Sequence, residues 1–319
     1  MLEVTYFVNK FSKRSLERAN LDRGMNWVNL QEPTDNELGR LAKKIRIPVN
    51  TLKEFMDPEE RPRVEELKNW SLIIFKAPVD LKGKLISSLA LLLSEHTVIT
   101  LSEVKNEVIQ SIEELPVSKK TKYFERGPDY FIFRLLDKIL SRYFKILDEI
   151  EGLSEKLEHN ILKKPGLKIT DDLFKIKKGI VHFHRAILAN REVIAGIEKG
   201  YSKHIPKPTL KYFRELYNDT VQLIELEETQ RDILTGLMDI HLSVTQTNLN
   251  KIVKTLTIIA SFIWIPALIA GIYGMNFFAS GHELAMPEVR WIYGYPFALT
   301  LMVISVIIVA IIFKKKGWL

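Results

Sequence analysis

Gly271-Ile272-Tyr273-Gly274-Met275-Asn276-Phe277 closes a long run of uncharged residues, and its residue types are suited to chemistry at a membrane surface. Two glycines at the end of an apolar helix allow close helix approach and a turn out of the bilayer. Asn276 then stands as a neutral hydrogen-bonding group beside the apolar run, although an asparagine there serves equally well as a local cap. A second set of candidates is acidic: Glu215, Asp219, Glu225, Glu227, Glu228 and Asp232. Taken by themselves these read as a solvated helix face. His182 and His184 look like a metal pair, but residues two apart on a helix point roughly 200° from one another and do not chelate one ion. The chain has no cysteine, which excludes disulfides, thiolate metal sites and thiol nucleophiles. We find neither a nucleophile–base set nor a glycine-rich phosphate loop, so an enzyme and an organic cofactor are not expected.

The elements that carry these residues begin with two spans. Thr255 to Gly281 is 27 residues without charge, and Trp291 to Phe313 is another 23. A bilayer core of about 30 Å needs roughly 20 apolar residues of helix. Neither run keeps a polar face, which leaves a deeply buried hairpin in a large soluble core as the alternative. Lys251 and Lys254 precede the first run, and Lys314, Lys315 and Lys316 follow the second. Between them stands only Arg290, against Glu283 and Glu288. The excess of lysine predicts both termini in the cytoplasm and a short external loop. The start Met1-Leu2-Glu3-Val4 reads as a strand and not as a signal peptide, so the first 250 or so residues are expected in the cytosol. The net charge of +7 is therefore in part an orientation signal, and no basic patch interleaved with aromatics points to nucleic acid.

Residues 1–125 read as mixed α/β. Val4–Val8, Ser71–Phe75, Leu85–Leu93 and Thr97–Leu101 are strand candidates. Thr34 and Glu37 form a capping box opening a helix toward Ile45. Early strands followed by long helices favour α+β over a doubly wound sheet. Pro128 suits the first turn of a helix reaching about Leu162. Thr170 is expected to cap a second helix running to Gly200, and Pro206 and Pro208 interrupt the linker after it. A third helix starts near Thr209 and meets no convincing stop before Tyr273, with Gly236 and Pro266 the only weak points. About 65 residues give a rod of roughly 100 Å, far longer than one bilayer. So long a helix implies a bundle and an oligomer.

Tyr273-Gly274-Met275-Asn276 at the end of the penultimate span resembles the signature of the CorA family of magnesium transporters. Met286-Pro287-Glu288, Tyr293-Gly294-Tyr295-Pro296, the basic tail Lys314-Lys315-Lys316 and, upstream, Arg61-Pro62-Arg63-Val64-Glu65 are similar to further stretches of that family. The resemblance covers most of the chain and is strongest from about Asp239 onward. One departure stands out. Phe278 to Ala285 separate the Asn276-Phe277 pair from Met286-Pro287-Glu288, where relatives have about two residues, and this longer loop adds His282 and Glu283.

The resemblance implies an α+β cytosolic domain followed by a long-helix bundle and two C-terminal transmembrane helices, assembled as a funnel-shaped homopentamer in the plasma membrane. The expected map is 1–125 cytosolic α/β domain, 126–254 cytosolic stalk, 255–276 pore-lining span, 277–295 external loop, 296–313 second span and 314–319 basic cytosolic tail. The implied function is passive, potential-driven Mg²⁺ transport with feedback from intracellular Mg²⁺; divalent cations, lipid and other copies of the chain are the only partners. Gly274, Met275 and Asn276 would form the ion entrance, with Glu283 and Glu288 in the external loop. Asp239, Asn250, Val253, Leu256, Trp264, Ala267 and Gly271 would line the pore, and their spacing keeps to one helix face. Asp239 would be an acidic ring, and Val253 with Leu256 an apolar constriction unless they serve ordinary helix packing. Glu215 matches a position that helps bind regulatory Mg²⁺ between subunits, with Asp80 and Glu95 as candidate partners. The competing readings are a Zn²⁺, Co²⁺ or Ni²⁺ transporter of the same family and a membrane-anchored metal-sensing scaffold.

Overall fold

A computed structural model of the chain describes residues 3–8, 11–79, 86–163, 167–275 and 291–319. Its contacts divide it into two units, Met1–Asp239 and Ile240–Leu319.

The first unit is built on a seven-stranded sheet. Strands β1 (Glu3–Phe7), β2 (Phe11–Ser15) and β3 (Met25–Gln31) open the chain, followed by helices α1 (Asp35–Ile45) and α2 (Val49–Met56). Strands β4 (Arg63–Glu66), β5 (Ser71–Pro78), β6 (Ile86–Leu93) and β7 (Thr97–Ser102) complete the sheet in the order β2-β1-β3-β7-β6-β5-β4. Only β3 and β7 pair in parallel; every other neighbour is antiparallel. Strand residues alternate between faces. Leu72, Ile74, Leu92 and Ile99 therefore join Leu38, Leu41 and Leu52 of α1 and α2 in one buried cluster. The intervening Ile73, Phe75, Leu91 and Val98 are equally buried on the opposite face, toward the later helices. Helix α1 carries the capping box in full: the Glu37 amide donates to the Thr34 hydroxyl, and the Glu37 carboxylate accepts from the Thr34 amide at 3.1 Å.

Helices α3 (Glu107–Glu113) and α4 (Val117–Phe124) lead into α5 (Pro128–Lys163), which starts at the predicted proline. Helix α6 spans Leu167–Glu198 and α7 spans Lys207–Tyr273. Two predicted starts shift. Thr170 does not cap α6, which already begins at Leu167; Ile169 is buried there, so packing carries the helix beyond the polar Thr170-Asp171-Asp172 start. Helix α7 begins at Lys207 because Pro208 falls in its first turn, where a missing N–H costs nothing. The α6 side chain Asn190 is fully buried and finishes the edge of β5. Strand β4 pairs only as far as Ile74, and at Lys76 the Asn190 amide accepts from the backbone N–H and donates to the carbonyl, both at 2.8 Å. The Tyr143 hydroxyl of α5 donates to the same carbonyl at 3.0 Å. A central polar pair is thereby fully bonded inside an apolar interface.

The second unit holds the remainder of α7 and helix α8 (Gly294–Lys315). Both helices are long and apolar enough to cross a membrane. Nothing in the apolar window of α7 is buried within the chain, and only 6% of that of α8 is. The buried soluble hairpin is thus excluded: these faces need lipid or further copies of the chain to cover them. Phe262 of α7 meets Phe313 of α8 edge-on at 6.1 Å. Pro266 lies inside α7 without ending it, as spans tolerate.

Candidate ion pathway and acidic half-site

The candidate pore positions in the second unit lie on α7. Asn250, Val253, Leu256, Trp264, Ala267 and Gly271 are all exposed in the single chain, Trp264 at 73% and Leu256 at 65%. At roughly 100° per residue, Val253, Leu256, Trp264, Ala267 and Gly271 sit more than about 100° round α7 from the side where Lys254 and Phe262 meet α8. The helix thus keeps one side for α8 and a separate, uncovered side for these residues. A Cβ placed on Gly271 would meet nothing within 4 Å, so this face is open to close approach. Gly274 acts differently. Its amide closes the last turn on the Ala270 carbonyl at 2.9 Å, and a Cβ there would stand 3.2 Å from that oxygen. Met275 is exposed just beyond it. Asn276, Glu283 and Glu288 of the expected entrance lie outside the described residues, as does Asp80.

In the first unit, Asp239 is exposed on α7. Glu215 is exposed as well, and it has acidic company that the sequence did not reveal. Asp137 of α5 and Asp219 of α7 lie within electrostatic reach of it. Burial pushes the Asp137 carboxyl above its ordinary range; Arg134 and Lys138 oppose this, and Glu215 adds to it. Asp219 is raised first by burial, then by the charges of Asp137 and Glu215. Arg134 reaches Asp137 at 3.0 Å. Asp137 and Asp219 hold their protons more tightly than usual beside Glu215, and a cation there would relieve the repulsion. Among the described residues, however, no three acidic or histidine side chains converge tightly enough to hold a metal ion by themselves. Glu95, the other suggested partner, is exposed in the turn between β6 and β7. A detectable signal for Asp137 did exist: it is a carboxylate set among the buried Leu135, Leu136, Ile139 and Leu140 of α5.

The remaining acids of α7 divide. Glu225, Glu228 and Asp232 are exposed, as a solvated face requires. Glu227 is not part of it: this residue is fully buried and meets His184 Nδ1 of α6 at 2.5 Å. The carboxyl group is taken into the α6–α7 interface because an imidazole partner is available there.

Comparison with known proteins places this architecture. The family described as CorA-like Mg²⁺ transporter protein matches residues 22–315. This chain belongs to that family. Its function is accordingly divalent-cation transport. The cobalt/magnesium transport protein CorA of Methanocaldococcus jannaschii is 33% identical over 294 residues, covering 92% of this chain and 91% of the relative. The cobalt/magnesium transport protein CorA of Thermotoga maritima is 30% identical over 298 residues, covering 92% and 83%. The complete structure of the CorA magnesium transporter from M. jannaschii superposes with a TM-score of 0.86 at 31% identity, over 100% of this chain and 99% of that one. The α/β domain, the long helix and the two apolar C-terminal helices are thus the CorA-like architecture.

Proposed function

We propose that five copies of this chain form a passive Mg²⁺ channel of the plasma membrane, lined by α7 and ringed by α8, that closes when intracellular Mg²⁺ is high. The observation that carries the reading is the uncovered face of α7, on which Val253, Leu256, Trp264, Ala267 and Gly271 are exposed away from the side that meets α8. Symmetric repetition turns each into a ring. Asn250 and Asp239 supply polar and acidic rings toward the cytosol, and Val253 with Leu256 a constriction that closes by dewetting. Asn276, with Gly274 and Met275, supplies the entrance. Mg²⁺ gives up its waters reluctantly, and a neutral amide ring holds the hydrated ion by hydrogen bonds without trapping it. Glu283 and Glu288 stand in the external loop and draw cations toward the mouth.

Regulation follows from the half-site. Glu215, Asp137 and Asp219 repel when bare, and a Mg²⁺ ion bridging them to an acid of the neighbouring copy holds the helices close. A coupling of about 1–3 kcal/mol per site is ordinary for such linkage, and five sites together are enough to shift a pore between states. Residues 1–125 and 126–254 are cytosolic in this reading, 255–276 and 296–313 cross the membrane, 277–295 face outward, and 314–319 return to the cytosol. Transport of Co²⁺ by the same route is the second reading, favoured by the names of both relatives.

The test is uptake into proteoliposomes with Mg²⁺, Co²⁺ and Zn²⁺ in competition, comparing wild type with Asn276→Asp. Five added charges should tighten binding and slow Mg²⁺ flux at least about tenfold. Wild-type flux in that variant would remove the amide ring from the mechanism. The solubilised complex should have a protein mass about five times the 37.0 kDa chain, and a monomeric mass would end the pore model.

A further inference from the structure

Away from the acidic cluster, the first unit carries a recess that ion conduction does not use. It has a volume of about 520 Å³ and lies where the segment between β2 and β3, the C-terminal end of α1, the β4–β5 turn and the end of β6 meet. Arg18 lines it from the first of these, and Lys44 and Arg46 from the second. Trp70, nearly buried, and Asn69 close it from the β4–β5 turn. The apolar neighbours of the cations hold the backbones in place: Ala19, Leu21, Ile45 and Trp70 all belong to the buried core cluster beneath. Arg18, Lys44 and Arg46 themselves stay exposed.

Among the described residues none of these cations makes an ion pair. Other cations of α1 and α2 do: Arg40 meets Glu17 at 3.3 Å, and Lys53 meets Asp35 at 2.6 Å. Lys44 is steadied by a neutral group, its Nζ donating to the Glu17 carbonyl at 3.3 Å. Asp22 is the only carboxylate among the described lining residues, so the recess holds an excess of two positive charges. Arg46 adds a second observation. It ends α1 in the left-handed conformation (φ 59°, ψ 39°), with its amide donating to the Ala42 carbonyl. Glycine or asparagine is the usual occupant of that conformation, because a larger side chain is strained there. The helix dipole favours a basic residue within the last turn, where no such strain arises. It therefore explains neither an arginine at the cap itself nor Arg18 on another segment.

We propose that Arg18, Lys44 and Arg46 form a binding site for a diphosphate group, carried either by free pyrophosphate or by a nucleoside diphosphate. Guanidinium groups present paired N–H donors that fit phosphate oxygens, and lysine adds a compact charge. Two phosphates match the charge excess of the recess, and its volume lies in the range of small-molecule sites, roughly 300–1,000 Å³. Asp22 opposes the anion and keeps the affinity modest.

The experiment is titration calorimetry of the full-length protein in detergent, with divalent cations chelated, using pyrophosphate, ADP and adenosine. Wild type should bind pyrophosphate and ADP and ignore adenosine. Arg18→Gln, Lys44→Gln and Arg46→Gly should each weaken pyrophosphate about tenfold. Asp22→Asn should tighten it severalfold by removing the opposing charge. Lys43→Gln, an exposed neighbour that does not line the recess, should leave the affinity unchanged. Tighter binding of ADP than of pyrophosphate supports the site as one for a nucleotide; equal or weaker binding supports it as one for the free anion. No binding of pyrophosphate to wild type would overturn the proposal, as would adenosine binding as tightly as ADP. Equal weakening by Lys43→Gln and Lys44→Gln would overturn it too, by showing diffuse surface attraction. Should the glutamine variants fail to fold, Arg46→Gly decides, since glycine suits the left-handed cap: unchanged pyrophosphate affinity in that variant contradicts the site.

Discussion

Asp137 and Asp219 hold their protons to higher pH in the folded protein than in the unfolded chain, because burial opposes ionisation, as does the charge of Glu215 on both and that of Asp137 on Asp219. The stability this brings is fully present below the unfolded carboxylate value of 3.8 and is lost as pH rises through the raised folded values. At neutral pH, without divalent cations, the pair therefore weakens the fold. Asp219→Asn should raise the unfolding midpoint of the metal-free protein at neutral pH and leave it unchanged well below pH 4. It should also remove most of the stabilisation that Mg²⁺ gives, which for wild type is about 2.7 kcal/mol at a hundredfold excess over Kd. Thermal unfolding across pH, with Mg²⁺ or chelator, measures both effects; equal Mg²⁺ stabilisation in the variant would detach this cluster from cation binding. Glu215 pointed to the cluster from sequence, but Asp137 did not, since proximity between α5 and α7 is a tertiary fact. Glu227 shows the opposite limit. Its neighbours in sequence are solvated, and only the placement of His184 explains why it is buried.

The elements most legible in the sequence are those with long, regular patterns. Helices α5, α7 and α8 declared themselves through Pro128, an uninterrupted run to Tyr273 and an uncharged span. The hydrophobic strands β5, β6 and β7 did so through Leu, Ile and Val. Strands β2, β3 and β4 were missed. Phe11-Ser12-Lys13-Arg14-Ser15 and Arg63-Val64-Glu65-Glu66 are polar because they form the two edges of the sheet, where one side of the backbone faces no strand. In β3 the pattern is broken by Asn26, Asn29 and Gln31, whose side chains bond His96, Glu113 and Asn106 in tertiary contacts invisible in sequence. The orientation of the two spans rests on lysine placement and is testable at this scale. The chain has no cysteine, so single cysteines can be introduced without background. Cysteines at 281 or 284 should label from outside intact cells, and a cysteine at 317 only after permeabilisation. External labelling at 317 would reverse the topology.

At the scale of the whole molecule, the faces of α7 and α8 that no part of the chain covers are the reason to expect an assembly around an ion path. In the passive channel proposed here the driving force is the ion gradient and the membrane potential. A dication crossing 100 mV gains about 4.6 kcal/mol, enough to accumulate Mg²⁺ more than a thousandfold without another energy source. The direct test uses proteoliposomes holding a Mg²⁺-sensitive dye, equal Mg²⁺ on both sides, no nucleotide, and a K⁺ diffusion potential set with valinomycin. The account predicts inward Mg²⁺ flux that appears when the interior is made negative, grows with the potential and vanishes when it is collapsed. Flux indifferent to potential, or present only when ATP is supplied, would contradict it.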